Sequence, residues 1–329
     1  MRAWIFLCLF PLLTGAAGAA GEKFALTFPV DCRLGETCVI QNFIDHDAGR
    51  GWRDHRCGAL TYDGHNGTDI RLRDLAEMKR GVGVLAAADG KVLRTRDGVP
   101  DVSIRASHAP DLAGRDCGNA VMIEHADGWE TQYCHLKRGS VLPLPGTRVR
   151  AGDKIGEIGL SGRTEFPHLH ITVRHKGKVI DPQAPDMPPG ACQTKGRSLW
   201  KNIEPASLYL DAFPLAFGFA DGPVTREEVD AGGLETRVPT RQSPMIAAYI
   251  SVLGLRAGDV QILSIIGPNG QILAENLLEP LDGPKAVFWL MAGRRRASEA
   301  QWPPGLYQAR YTIIRDEWIV RDDRISLDW

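Results

Sequence analysis

Between residues 23 and 182, apolar and polar positions alternate in short runs cut by Gly, Asp and Pro. A period of two over a few residues marks a half-buried strand, and Gly- or Asp-centred breaks mark turns. Residues 24–28, 38–40 and 70–72 read as strands of this kind. Residues 82–88 and 91–94 flank Asp89-Gly90 and predict a hairpin. A second hairpin is predicted from 119–125, the turn Ala126-Asp127-Gly128, and 129–136. Further strands follow at 154–158 and 168–174, and a turn at Lys176-Gly177-Lys178 sends the chain back through Val179-Ile180. Residues 97–116, rich in Asp, Pro, Gly and Ser, predict a long loop. No helix-length stretch carries the 3.6-residue period, so this part of the chain is expected to be mainly β, built on an antiparallel sheet.

Residues 183–199 are proline-rich and read as a linker that Cys192 could pin. Beyond them, strand-like runs at 246–253, 259–266, 270–275, 287–291 and 306–314 suggest a small β-sandwich-like accessory domain over 200–329. That region has no histidine or cysteine and no evident chemistry, and an unknown partner is left open for it. Its Arg294-Arg295-Arg296 run reads as a solvated loop.

Residues 1–20 read as an export signal: Arg2, a short apolar run from Trp4 to Leu13, then a small-residue cleavage region. The run is too short to span a membrane comfortably, and no long apolar stretch follows it. The mature chain is therefore expected to be periplasmic or secreted, with no integral membrane segment. Six cysteines remain: Cys32, Cys38, Cys57, Cys117, Cys134 and Cys192. An even number in an exported chain favours disulfides, with fifteen pairings open. Cys32 and Cys38 could close a small loop, and Cys117 and Cys134 lie on two arms of one predicted hairpin. A hydrophobic content of 43% and a charged content of 24% are those of an ordinary globular chain. A net charge of -1 gives no basic surplus of the kind that nucleic-acid binding needs.

The candidate chemistry lies in three histidine motifs. In Pro167-His168-Leu169-His170-Ile171-Thr172-Val173-Arg174, strand alternation projects His168 and His170 onto one face and Leu169 and Ile171 onto the other. His65-Asn66-Gly67-Thr68-Asp69 adds an imidazole and a carboxylate beside small residues that allow close approach. Tyr133-Cys134-His135-Leu136 delivers a further imidazole at a strand end. Imidazoles plus one carboxylate are a ligand set that zinc takes in hydrolytic sites. His46, His55, His108, His125 and His175 read as structural or solvated.

In this order, and in a β-rich exported domain, the three motifs resemble the LytM/lysostaphin-type zinc metallopeptidases, which cut the peptide part of peptidoglycan. Ala87-Ala88-Asp89-Gly90 and Val149-Arg150-Ala151-Gly152-Asp153-Lys154-Ile155-Gly156 are similar to that family too, and the likeness covers about residues 60–182. It implies a zinc peptidase domain over 21–182 with an N-terminal extension. It also implies one Zn2+ held by His65, Asp69 and His170, with His135 and His168 as flanking catalytic residues, and a peptidoglycan peptide as substrate. No H-E-x-x-H helix is present, so an imidazole would replace the glutamate base of that class. The alternative is a non-catalytic relative that binds the wall or regulates another hydrolase. Such relatives typically lose ligand residues, and none of the five is missing here. Glu165-Phe166 and the 97–116 loop depart from the family pattern and are expected to border the groove.

Overall fold

A computed structural model describes residues 23–188, 190–193, 196–203, 205–297 and 300–329; the expected export signal lies outside them. The first ten strands are β1 Cys38–Asn42, β2 Thr68–Leu72, β3 Gly83–Leu85, β4 Gly90–Arg96, β5 Asn119–Glu124, β6 Trp129–Leu136, β7 Arg148–Val149, β8 Lys154–Glu157, β9 His168–His175 and β10 Lys178–Val179. The main sheet has the order β1-β2-β9-β6-β5-β4-β7, with β10 against β9, and its adjacent strands pair antiparallel.

One face of this sheet is apolar. Leu169, Ile171 and Val173 of β9, Ile70 and Leu72 of β2, Val121 and Ile123 of β5 and Tyr133 of β6 have no exposed surface. Each such burial contributes about 1.5–3 kcal/mol, which makes the register costly to shift, because a one-residue slip would turn every side chain over. The opposite face therefore receives the polar residues of the same strands.

The predicted hairpin over 82–94 does not form. β3 pairs with β8 in a separate two-stranded sheet, Val84 opposite Gly156, while β4 pairs with β5 and β7. The Asp153 carbonyl accepts from Ala86 N and the Tyr133 hydroxyl from Ala87 N, so these amides are satisfied away from β4. The three buried alanines between the strands form the crossover. The 119–136 hairpin, the histidine strand and the 178–179 return are as expected. A six-residue helix, α1 Leu75–Arg80, was not anticipated; the Asp74 carboxylate caps it by accepting from Glu77 N. It is too short to carry a readable period.

The remaining elements are α2 Pro205–Leu208, β11 Phe213–Ala220, α3 Arg226–Ala231, β12 Met245–Leu255, β13 Val260–Ile266, β14 Ile272–Leu277, β15 Lys285–Arg295, β16 Leu306–Arg315 and β17 Trp318–Asp328. They form a three-stranded sheet β11-β12-β15 and a four-stranded sheet β14-β13-β16-β17. Ile246, Ala248 and Ile250 of the first pack with Leu263, Ile265, Tyr307 and Tyr311 of the second. This is a sandwich, as its strand spacing suggested. β11 and β17 were not foreseen: Pro214 and Gly218 interrupt the first, and Asp322-Asp323-Arg324 make the second read as solvated. Arg294 and Arg295 are exposed on the end of β15, not in a loop.

The segment after residue 182 is not a loose tether. Leu26 N donates to the Leu199 carbonyl at 2.7 Å, and Lys201 N donates to the Leu26 carbonyl at 2.7 Å. Cys192 is bonded to Cys57, and the other described cysteines pair as Cys32–Cys38 and Cys117–Cys134, which removes all six from metal binding. Leu215 and Leu253 join the core of the first sheet, so the sandwich packs directly against it.

Candidate metal centre

The polar face of the main sheet is organised by one cross-strand row. Register places Asn42 opposite Asp69, Asp69 opposite His170, and His170 opposite Cys134. Opposed residues on neighbouring strands are close enough for direct side-chain contact. His170 Nδ1 lies 2.8 Å from Asp69 Oδ1. His168, two residues earlier on the same face, brings Nε2 to 3.4 Å from the same oxygen. The alternation that was expected of β9 is present: both histidines face the site, and Leu169 and Ile171 face the core.

His65 enters from the loop before β2. Its Nε2 lies 3.2 Å from Asp69 Oδ1 and 3.2 Å from His170 Nδ1. Close approach is possible because Gly67 has no side chain; a Cβ there would lie 2.5 Å from His170 Nε2.

His135 arrives by a backbone break. Regular alternation would send Cys134 and His135 to opposite faces. His135 instead has φ 62°, a left-handed conformation uncommon for a residue with a side chain. Its amide donates to the Cys117 carbonyl at 2.8 Å, and its carbonyl accepts from Gly159 N at 3.0 Å, which holds the strained turn in place. Both Cys134 and His135 then line the cavity beside His170. The ring of His135 lies 4.6 Å from that of His168, centroid to centroid.

Backbone carbonyls set the tautomers of three of the histidines. The Phe43 carbonyl is 2.6 Å from His65 Nδ1, the Ser161 carbonyl 2.7 Å from His135 Nδ1, and the Phe166 carbonyl 2.9 Å from His168 Nδ1. A carbonyl only accepts, so each of these nitrogens carries the proton and each Nε2 is bare. Thr172 Oγ1 lies 3.1 Å from His170 Nε2; a hydroxyl donates or accepts, so either His170 tautomer satisfies this contact. Asn42 Nδ2 donates to Asp69 Oδ2 at 2.8 Å, so Oδ1 alone turns to the histidines.

In its neutral form His65 thus presents a bare Nε2 at 3.2 Å from both His170 Nδ1 and Asp69 Oδ1. The three donor atoms lie within 4.8 Å of one another. For zinc bound at about 2.0–2.1 Å in a tetrahedron, donor–donor edges are about 3.3 Å. The edges here, 2.8, 3.2 and 3.2 Å, are near that value. The residues present fit the ion.

The electrostatics agree. Burial would push the Asp69 carboxyl up, but the imidazoles of His65 and His168 hold it well below the usual carboxylate range. Burial would lower His65, but the charge of Asp69 carries it upward instead. Burial dominates for His170 and lowers it. For His135, burial and the neighbouring imidazoles push the value down to about 3, so this ring is neutral at neutral pH.

Two cavities flank the centre and share Tyr62, His135 and Arg163. One, of about 380 Å³ on the His168 side, is lined in part by Ile104, Phe166 and Ala286. The loops expected to border the groove do so and are joined to each other: Arg105 pairs with Glu165, and Ile104 N donates to the Thr164 carbonyl at 3.0 Å. Ala286 brings β15 of the sandwich to the rim. The other cavity, of about 280 Å³, lies on the His170 side.

Residues 63–182 match the family described as Peptidase family M23. The chain carries an M23 peptidase domain. That domain is 44% identical over 71 residues to the DD-carboxypeptidase/endopeptidase Mpg of Neisseria meningitidis serogroup B, covering 22% of this chain and 16% of that protein. It is 32% identical over 124 residues to the peptidoglycan DD-endopeptidase ShyB of Vibrio cholerae, covering 38% of this chain and 24% of that protein. A solved zinc-containing peptidase from Vibrio cholerae is 26% identical, with a TM-score of 0.34, covering 50% of this chain and 41% of that one. The chain thus spans about a sixth to a quarter of the length of these curated relatives.

The M23 domain brings all five expected side chains together, and places His46, His55, His108, His125 and His175 elsewhere. His125 and His55 are buried structural residues. His175, expected to face solvent, stacks half-buried on Trp129 at 4.4 Å between centroids. Sequence reasoning missed Asn42, Ser161 and Thr172 as supports of the centre. Thr172 had a readable signal, since it follows His170 by two on the same strand face. Asn42 and Ser161 come from distant segments and had none.

Proposed function

We propose that the M23 domain is a zinc-dependent endopeptidase that hydrolyses peptide bonds of bacterial cell-wall peptidoglycan, in the periplasm or outside the cell. The observation that carries this reading is the meeting of His65 Nε2, Asp69 Oδ1 and His170 Nδ1, with two further imidazoles at hand. His65, Asp69 and His170 would hold one zinc per chain. Bound there, zinc would supply Lewis-acid polarisation and water acidified to a pKa of about 7.

His135 and His168 each have Nδ1 tied to a carbonyl, which leaves Nε2 free for proton transfer. His135, neutral at neutral pH with Nδ1 bound to the Ser161 carbonyl, would use its bare Nε2 to take a proton from the attacking water. His168 Nε2, once protonated, would donate to the oxyanion or to the departing amine. The near-complete burial of both rings removes competing water and strengthens these interactions. The relative named above as a peptidoglycan DD-endopeptidase supports peptidoglycan as the substrate, and the three disulfides support an exported protein.

The test is digestion of purified sacculi by the mature full-length chain, with chelator and after zinc is restored. Chelator-sensitive release of peptide fragments is the expected result. Intact sacculi in the presence of stoichiometric zinc would reject the reading.

A further inference from the structure

The cavity on the His170 side carries a charge that the proposed hydrolytic chemistry does not use. On β9, His170, Thr172 and Arg174 share one face, so Arg174 lies two strand repeats from the proposed zinc ligand and lines the same cavity. Register sets Arg174 opposite Glu130, the carboxylate best placed to neutralise it. The guanidinium makes no ion pair with Glu130. Its Nη1 donates instead to Gln132 Oε1 at 2.9 Å, a neutral acceptor. Among the described residues no carboxylate lies within ion-pair distance of Arg174. The other guanidinium of the cavity, Arg163, is paired with Asp116 at 2.9 Å.

Gln132 is itself oriented. Its Nε2 lies 3.3 Å from Cys117 Sγ and 3.6 Å from Cys134 Sγ, so the amide nitrogen faces the disulfide and the oxygen faces Arg174. The Cys117–Cys134 bond thus fixes Gln132, and Gln132 fixes the fork of Arg174. A half-buried guanidinium held by a neutral group, with donors left over and open space before it, is a receptor for a planar anion.

We propose that Arg174, positioned by Gln132, binds a carboxylate of the peptide on the His170 side of the cleavage point. It would thereby select substrates that carry a free carboxyl near the scissile amide. The inference rests on the endopeptidase reading for what occupies the groove, but not for the binding itself.

The test is equilibrium binding of two probes to the full mature chain: an alanine tetrapeptide with a free C-terminal carboxylate, and its C-terminal carboxamide twin. Binding is measured with zinc loaded and again after chelation. Wild type should prefer the carboxylate by roughly tenfold in both states, the strength of one charge-assisted pair. Arg174→Met, which keeps the apolar stem, should bind both probes equally. Gln132→Ala should lose part of the preference, with its fold checked by far-UV circular dichroism. A preference that survives Arg174→Met, or no preference in wild type, overturns the proposal. A preference seen only with zinc also overturns it, because the metal would then be the receptor. Selective binding by a chain that releases nothing from sacculi would instead count against the endopeptidase reading and leave the subsite standing.

Discussion

Asn42 Nδ2 donates to Asp69 Oδ2 at 2.8 Å, and this single contact decides which carboxylate oxygen faces His65 and His170. Removing it frees the carboxylate to rotate in a pocket where it is almost fully buried. Partners of this kind typically matter 10- to 100-fold in metal affinity. Asn42→Ala should therefore weaken zinc binding by about 10-fold or more, read by competition with a chromophoric chelator. Unchanged affinity would show that the register alone holds Asp69.

Gly67 is the close-approach point. Alanine there would set a methyl group 2.5 Å from His170 Nε2 and 2.8 Å from the Ile171 carbonyl, and neither can yield without moving β9. Gly67→Ala should lower zinc affinity by roughly the same order as loss of a supporting contact. A full zinc complement at wild-type affinity would mean that His170 moves without loss of function.

His170 and His135 should separate in their effects. His170→Ala removes a donor and should lose metal and turnover together. His135→Ala should retain stoichiometric zinc by elemental analysis while turnover falls by a factor of about 10² to 10⁴, the usual contribution of general acid–base catalysis. If His135→Ala instead empties the centre, His135 is a ligand and the proposed roles must be exchanged.

His125 gives a pH dependence away from the centre. It is buried, with Nδ1 2.7 Å from the Asp89 carbonyl, and burial depresses its folded-state pKa below the ordinary value of 6.5. The unfolded chain then binds a proton that the folded chain resists. The stabilisation is fully present above pH 6.5 and is lost as pH falls toward and through the folded value. The slope is at most about 1.4 kcal/mol per pH unit for one histidine. Urea midpoints should fall from pH 7 to pH 5, and His125→Gln should flatten that fall in part, since His55 is depressed in the same direction. An unaltered slope would remove His125 from the account.

Much of the centre was legible because strand alternation is a local rule. It put His168 and His170 on one face and gave β5, β6, β9 and most of the sandwich strands. The 82–94 hairpin was misread because Asp89-Gly90 is a turn signal with no knowledge of competing partners. The carbonyls of Pro29 and Asp153 take Leu85 N and Ala86 N, and β3 leaves the sheet. His135 was found as a residue but not as a geometry, because its left-handed backbone depends on Cys117 and Gly159, contacts that a linear pattern does not carry.

The sequence by itself determined the β class, the inventory of donors and which side chains share a strand face, since each follows from neighbours along the chain. The tertiary structure alone decided that Asn42, Asp69, His170 and Cys134 form one row, that Gln132 rather than Glu130 holds Arg174, and that the sandwich reaches the rim at Ala286. Those relations join segments far apart in the chain. Only the burial of a shared apolar face and the pairing of backbone groups select them from the alternatives.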